Sequence, residues 1–359
     1  MSIATQLEAV RKKAMLTLAQ VAEKAELGLS TLSEFENGKR EPSAAQLVKL
    51  ARFFHLPVGY FFGETELPSE KILWRHRPAS PAAEDTEARF LELCSWYQNL
   101  EEWTKEKSKV GVARIDVPNG ILTRRDIIKL AERCRGAYEL GTNPTRTLLS
   151  ALEDGVGVKI FHLPLGPAGN AASAVGEFGM AVLLNSDNNQ WQRAFDLAHE
   201  LYHLITWRDR CAKEVTDPAE EIAADRFAAH LLVPLNRLME VFTPFVASGK
   251  IGPTDLSLIA RRFEVPVEAI IRVLGDQFSM DEATLEELVQ RCRVLDRGID
   301  VPSDKPPERP ARFRNLAIKA YHMRSTSTSM LAKYLGIKVA EAMNLLRSSI
   351  KDGEEIRFT

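Results

Sequence analysis

In AFDLAHELYHLITW, residues 194–207, two histidines and a glutamate interrupt an otherwise apolar helical run. His199 and His203 stand four residues apart, so on a helix both imidazoles project from one face and can reach a single ion. Glu200 follows His199 directly, where its carboxylate can face a metal-activated water without ligating the metal. The pattern indicates metal-assisted hydrolysis. The alternative is a buried helix whose two histidines bond to backbone carbonyls.

A catalytic zinc site usually takes three protein ligands, so the chain must supply one more. A third histidine six residues after His203 would fall at position 209, which is Asp209, and Thr206 stands where that pattern needs a glycine. The metzincin arrangement is therefore excluded. The stretch AEEIAADRFAAHLLVP, residues 219–234, offers a glutamate from a second helix instead.

Within that second helix, Glu221 and Asp225 lie four residues apart on one face. Glu221 can ligate the metal, while Asp225 can accept a hydrogen bond from a ligand histidine and fix its tautomer. Glu220 is the nearest rival for the ligand role, but it lacks an acidic partner four residues on. We expect the buried side of this helix to consist of Ile222, Phe227 and Leu231.

These paired motifs follow the gluzincin pattern and, with their surroundings, resemble the ImmA/IrrE family of metallo-endopeptidases. The likeness rests on QRAFDLAHELYHLI at 192–205, EEIAADRFAAHLLVP at 220–234 and the strand GMAVLLN at 179–185, and it covers about residues 120–275. The resemblance implies one Zn²⁺ per chain and a protein substrate, typically a partner repressor with its own helix-turn-helix domain. It also implies that an extended peptide adds to an edge strand at 180–185.

The first 64 residues read as short helices separated by polar turns. In the helix STLSEFENG, from Ser30 to Gly38, Leu32 and Phe35 turn inward. The polar side chains left on its outer face are those of Ser30, Thr31, Ser33, Glu34 and Asn37.

This zone resembles the helix-turn-helix domain of the xenobiotic-response-element family, which includes the phage repressors. The matching runs are LTLAQVAEKA at 16–25, LSTLSEFENGKREPS at 29–43 and LVKLARFFHLPVGYFF at 47–62. The resemblance implies binding to double-stranded DNA through the outer face of the third helix. The basic side chains that would attract phosphates are Arg11, Lys12, Lys13, Lys39 and Arg40. A helical module for protein contacts or dimerisation remains the alternative.

Glu36 has a structural role in this interpretation. It would lie where it can pair with Arg11 of the first helix and lock the bundle.

Composition predicts a folded, multidomain protein, and the predominance of helical runs along the chain predicts a mainly α fold. The chain has 359 residues, of which 45% are hydrophobic and 27% charged, with a net charge of −2. It shows neither a membrane span nor the apolar segment of a secretory signal, so we expect a cytoplasmic protein without membrane partners. Four scattered cysteines exclude a cysteine-rich zinc site and make disulfides unexpected.

We expect four parts in the chain. These are an all-α helix-turn-helix bundle at 1–66, a linker and helical connector at 67–119, an α+β gluzincin-like domain with a small sheet at 120–275, and a helical C-terminal module at 276–359. In the third part, two β-like runs, VGVKIFHLP and GMAVLLN, flank a Gly/Ala-rich loop.

The combined interpretation is a DNA-binding regulator fused to a zinc endopeptidase. His199, His203 and Glu221 would be the metal ligands, Glu200 the general base and acid, and Asp225 the hydrogen-bond partner of a ligand histidine. Two other classes stay open: a ligand- or metal-responsive transcription factor without turnover, and an antitoxin-like interaction protein. A homodimer is also left open.

Overall fold

The structure is a computed structural model. It describes residues 2–13, 17–54, 58–62, 71–74, 82–106, 122–166, 169–206, 218–247, 251–296, 305–323 and 325–351. The chain forms two compact units, Met1–Glu70 and Lys71–Thr359. The fold is mainly α, as the sequence predicts.

The N-terminal unit is a bundle of short helices around one apolar core. Its helices are α1 (Ile3–Lys13), α2 (Leu18–Lys24), α3 (Leu29–Glu36) and α4 (Ala44–Phe54), followed by a 3₁₀ turn at Val58–Phe62. Leu7 of α1, Leu32 and Phe35 of α3 and Leu50 of α4 are buried in this core. The turn between α2 and α3 gives the pair the order of a helix-turn-helix.

The predicted pair between Arg11 and Glu36 is confirmed. Arg11 Nε lies 2.7 Å from Glu36 Oε1, and Arg11 Nη2 lies 2.7 Å from Glu36 Oε2. This bidentate contact joins α1 to the end of α3 and holds α3 in place.

The second unit contains a four-stranded sheet and twelve helices among the described residues. The strands are β1 (Lys71–Trp74), β2 (Lys159–Leu163), β3 (Ala171–Gly176) and β4 (Gly179–Asn185). The helices between β1 and β2 are α5 (Ala82–Thr104), α6 (Arg124–Ala137) and α7 (Pro144–Ser150), the last continuing as a π-helical turn at Ala151–Val156. The helices after β4 are α8 (Gln190–Thr206), α9 (Pro218–Leu232), α10 (Leu235–Ala247), α11 (Pro253–Phe263), α12 (Val267–Phe278), α13 (Glu282–Asp296), α14 (Ala311–His322), α15 (Thr328–Leu335) and α16 (Val339–Lys351).

The strands lie in the order β1-β3-β4-β2, with β3 antiparallel to both neighbours and β4 parallel to β2. Because β4 has a partner on each side, the expectation that 180–185 is an edge strand is wrong. The expectation of a loop before β4 is also wrong, since β3 occupies 171–176. Its run AASAVG has little intrinsic strand signal, and pairing on both sides supplies what the sequence lacks.

Each face of the sheet carries its own core. Ile160, Val182 and Leu184 join the cluster that contains α8, α9 and α12, while Phe161 and Leu183 face α5 and α14. The side chains alternate between the two clusters along each strand, as the period of a strand requires. The C-terminal helices α14 and α15 therefore contribute to the core beneath the sheet.

Helix α9 packs closely on α8 because small side chains line the contact. Ala224 and Ala228 are fully buried, and so are Phe227 and Leu231, as predicted. Ile222 contradicts the prediction, since 46% of it is exposed. It lies one residue after Glu221, and the helix rotation of about 100° per residue places it on the exposed face of α9.

Among the described helices, none combines the length and the apolar character that crossing a bilayer requires.

Candidate metal centre

Helix α8 carries the two histidines into the core. It spans Gln190–Thr206, and both imidazoles are buried, with 0% of His199 and 3% of His203 exposed. The two Nε2 atoms lie 3.1 Å apart. The four-residue spacing thus directs both rings at one point, as the sequence predicts.

Helix α9 brings the third group to that point. Glu221 Oε2 lies 3.1 Å from His199 Nε2, and Glu221 Oε1 lies 3.4 Å from His203 Nε2. One ligand atom from each of the three residues falls within 4.8 Å of the others. Two ligands of a tetrahedral zinc ion, each about 2.0–2.1 Å from it, lie roughly 3.3 Å apart. The spacing of the three side chains fits such an ion.

The neighbouring acids of α9 lie on the far sides of the rings. Asp225 Oδ1 is 2.8 Å from His199 Nδ1, the nitrogen that points away from the cluster. Glu220 Oε1 is 3.8 Å from His203 Nδ1. Glu221 is therefore the acid that meets both Nε2 atoms, while Asp225 and Glu220 face the opposite nitrogens.

Glu200 lies beside the cluster without joining it. Its side chain is completely buried, and neither carboxylate oxygen has a hydrogen-bond partner among the described residues. Burial raises the pKa of Glu200, and the positive charge that His203 and His199 can carry opposes the rise. A buried acid with open acceptor positions can exchange a proton with a molecule that enters the site.

Ser173 of β3 is a neighbour of Glu200 that the sequence analysis missed. Its hydroxyl is buried, and its proximity lowers the pKa of the Glu200 carboxyl. No residue pattern indicates this contact, because Ser173 stands in a stretch predicted as a loop.

The charges around the rings favour a cation. Burial alone would lower the pKa of His203, but hydrogen bonding to Glu220 and Glu221 outweighs it and raises the pKa to about 10. Burial would raise the pKa of Glu221, yet its contacts with the two histidines bring it well below the ordinary range. The protein therefore prefers positive charge at this point, which a metal ion can supply.

A second cluster of charged groups lies toward the other end of α9. His230 Nε2 is 2.8 Å from Asp276 Oδ2, which is also 3.0 Å from Arg226 Nε. Arg124 Nη2 lies 2.6 Å from Asp276 Oδ1. His230 is thus a buried residue in contact with Asp276.

The outer face of α3 has the polar character predicted for it. Leu32 and Phe35 are buried against the bundle, and Asn37 Nδ2 donates to the Ser33 carbonyl at 2.8 Å. The predicted DNA-facing residues are all exposed or half-exposed: Ser30, Thr31, Ser33, Glu34, Asn37, Lys39 and Arg40. This face is available to a ligand within the N-terminal unit.

Two family models match the chain. A helix-turn-helix family matches residues 7–61, and the family described as the IrrE N-terminal-like domain matches residues 153–274. The second match includes β2, β3, β4 and both helices of the cluster.

One curated relative and one solved structure are similar to parts of the chain. The "HTH-type transcriptional regulator ImmR" of Bacillus subtilis (strain 168) is 33% identical over 67 residues, which are 19% of this chain and 53% of the relative. The chain thus spans about half the length of this relative. A structure described as a Mycobacterium tuberculosis transcriptional regulator aligns with 50% of this chain and 52% of its own at 16% identity, with a TM-score of 0.31.

The matched regions coincide with the two structural features described above, the exposed α3 face and the histidine–glutamate cluster. The chain therefore contains a helix-turn-helix domain within residues 7–61 and an IrrE N-terminal-like, metallopeptidase-like domain within residues 153–274.

Proposed function

We propose that the second unit is a zinc-dependent endopeptidase, and that the chain couples this activity to DNA binding. The observation that carries the proposal is the convergence of His199, His203 and Glu221 on one point, beside the buried and unpartnered Glu200 carboxylate. A structural zinc site needs four protein ligands, whereas a catalytic site takes three and leaves one position open. Three ligands with an adjacent acid support the catalytic type.

His199, His203 and Glu221 would hold the zinc ion. When bound, zinc lowers the pKa of water and polarises the scissile carbonyl. Asp225 accepts a hydrogen bond from His199 Nδ1–H at 2.8 Å, which leaves Nε2 as the unprotonated, ligating nitrogen.

Glu200 moves the proton in this mechanism. Its carboxylate accepts a proton from the attacking water and passes it to the leaving amine. The raised pKa of Glu200 brings the acid closer to working pH, so it can both accept and return a proton. Ser173 lies beside the carboxylate and lowers its pKa, so the rise is smaller than burial alone would cause.

We infer further that the substrate is a protein, a partner repressor with its own helix-turn-helix domain, and that the α3 face binds double-stranded DNA. The likeness to a relative named as a transcriptional regulator supports the regulatory role. Exposed Lys39 and Arg40 at the end of α3 supply local positive charge for phosphates.

One observation favours a second candidate, a metal-responsive regulator without turnover. Glu200 is 0% exposed, so a substrate must open the site before it can reach the carboxylate. In a pure sensor, Glu200 would be dispensable and metal binding alone would alter regulation.

Metal content and cleavage test the two candidates together. Wild type, Glu221→Gln, the matched neighbour Glu220→Gln and Glu200→Gln are assayed for bound zinc, and wild type and Glu200→Gln are also assayed for cleavage of co-expressed repressors. We expect one zinc per chain, lost with Glu221→Gln and kept with the other two variants. Cleavage falls by about 10²–10⁴-fold in Glu200→Gln.

Two results would contradict the endopeptidase. Zinc retained in Glu221→Gln would remove that ligand from the set. Cleavage unchanged in Glu200→Gln, with zinc bound, would remove the carboxylate from the chemistry and leave the sensing regulator.

DNA binding is tested separately, on duplexes selected from a random pool. Ser33→Ala, on the outer face of α3, should weaken binding to the selected sequence by about 1–3 kcal/mol. Lys39→Ala should weaken all sequences alike and reduce the salt dependence. Equal binding by all three proteins would contradict the assignment of this face.

A further inference from the structure

Strand β1 covers the outer edge of β3. It pairs antiparallel with β3 from Lys71, opposite Val175, to Trp74, opposite Ala172. The edge of a sheet presents unpaired N–H and C=O groups to which an extended peptide can add. Residues 71–74 therefore occupy the place of an added strand.

This edge lies beside the candidate metal centre. Ser173 alternates with Ala171 and Val175, which belong to the cluster on the α8 side of the sheet. Ser173 thus lies on the face of β3 that contacts α8, the helix that carries Glu200, and its register partner in β1 is Leu73. A strand paired with β3 passes about 4.8 Å from the backbone of the residue that faces Glu200.

The other positions in the sheet are less suitable among the described residues. The outer edge of β1, the terminal strand, lies one strand further from Ser173. β4 has neighbours on both sides. On the outer side of β2, the His162 N–H donates to the Glu308 carbonyl at 3.4 Å. The edge beside Glu200 is thus the edge of β3.

The family resemblance implies that an extended substrate adds to a sheet edge beside the metal, and in this chain that edge is β3, residues 172–175. We propose that the chain's own residues 71–74 cover this edge and block the substrate of the proposed endopeptidase. The inference rests on the proposed function, because the strand matters only if the site takes a peptide. The substrate is an extended protein segment that replaces β1, antiparallel to β3. It carries an apolar residue opposite Ala174, since Ile72 packs there against the core under the sheet.

The physical chemistry of β1 suits a removable blocker. A strand of four residues makes few ladder hydrogen bonds, and each has a modest net value. Attachment to the same chain compensates by giving the segment an effective concentration of about millimolar. A longer substrate strand, with more ladder bonds, can therefore replace it.

The test uses a fluorescent peptide with the sequence SEKILWRH, residues 69–76, and the full-length Glu200→Gln chain, which cannot cleave it. Fluorescence anisotropy compares binding with a second chain that also carries Ile72→Pro and Leu73→Pro. In an antiparallel ladder adjacent residues point their N–H groups in opposite directions, so one of these prolines removes a bond to β3. Ala79→Pro, outside the strand, is the matched control.

We expect the double-proline chain to bind the peptide at least about tenfold more tightly than the parent, and the Ala79→Pro chain to behave like the parent. A peptide with proline in place of its leucine should not bind. Equal binding to parent and double-proline chains would overturn the blocking role of 71–74. No binding to either chain would overturn the β3 edge as a peptide site.

Hydrogen exchange on the parent chain guards against a misfolded variant. At saturating peptide, the amides of 71–74 should lose protection while those of 172–175 keep theirs. Unchanged protection of 71–74 would overturn the proposal.

Failure of this inference is distinguishable from failure of the proposed function. Peptide binding to the opened chain without Glu200-dependent cleavage would leave the surface standing and remove the endopeptidase. Glu200-dependent cleavage that the peptide does not inhibit would remove the surface alone.

Discussion

Helix α9 takes part in two buried clusters of acids and bases that differ in how their charges are matched. At its start, Glu221 meets two buried imidazoles, with Glu220 and Asp225 on the outer nitrogens. Toward its end, His230 and Arg226 meet a single carboxylate, Asp276.

The two clusters differ in the source of the positive charge that their carboxylates need. Asp276 is surrounded by His230, Arg226 and Arg124, so the protein itself supplies the positive charge. The pKa of Asp276 is lowered accordingly, although burial opposes the change. Around His199 and His203 the partners are carboxylates, and the cation must be a proton or a metal ion. Charge matching separates a structural cluster from a candidate metal centre.

The largest effect is expected from removing Asp276, the acid of the charge-matched cluster. Asp276→Ala leaves Arg124, Arg226 and His230 around a side chain that was 1% exposed. Breaking a buried pair in this way costs about 3–5 kcal/mol. The free energy of unfolding in urea should fall by that amount, with or without zinc. Glu287→Gln, which removes an exposed carboxylate, is the control, and an equal effect in both variants would contradict the structural role.

A third buried acid, Glu153, should make the stability of the protein depend on pH. Glu153 accepts the Arg312 backbone N–H at 3.2 Å, and burial, with Asp154 nearby, raises its pKa from 4.5 to about 7. Between those values the native state keeps a proton that the unfolded state loses, so stability falls as pH rises.

Glu153→Gln should remove this dependence. Relative to wild type, the variant should gain on the order of 3 kcal/mol in unfolding free energy between pH 4.5 and pH 8. Urea unfolding across that range measures the difference. Glu177→Gln, at an exposed position, should show no such gain, and parallel pH curves for Glu153→Gln and wild type would exclude the raised pKa.

Metal removal separates the two ends of α9. With free zinc at about 100 times its dissociation constant, binding to the native state adds about 2.7 kcal/mol to the free energy of unfolding, and a chelator removes it. Glu220→Gln should keep this response, while Glu221→Gln should lose it. A chelator effect of equal size in both variants would mean that zinc binds elsewhere.

The smallest expected effect is at the contact behind the metal ligand. Asp225→Asn keeps the shape but weakens the hydrogen bond to His199 Nδ1, so zinc affinity should fall about 10–100-fold. Competition with a fluorescent zinc chelator measures the change. An unchanged affinity would show that the Asp225 contact does not orient the ring.

The local parts of this protein could be predicted from the sequence. The four-residue spacings of His199 with His203 and of Glu221 with Asp225 define helix faces, and the helix period is local. The inward residues Leu32 and Phe35 and the pair between Arg11 and Glu36 followed from the family pattern and are confirmed.

The sheet could not be predicted in the same way. The alanine-rich β3 and the four-residue β1 have weak strand signals, and their strand state depends on partners distant in sequence. Because β3 was predicted as a loop, β4 was wrongly expected to be the edge strand of the sheet.

The residues of α8 and α9 that share a helix face could be predicted from sequence alone, because the helix period places residues three and four apart on one face. Glu221, which the spacing of the acids favours over Glu220, meets both Nε2 atoms because α9 packs on α8. The position of Ser173 beside Glu200 and the cover of the β3 edge by β1 follow only from long-range packing. These depend on how close separate elements pack, which is set by long-range pairing and by small residues such as Ala224 and Ala228.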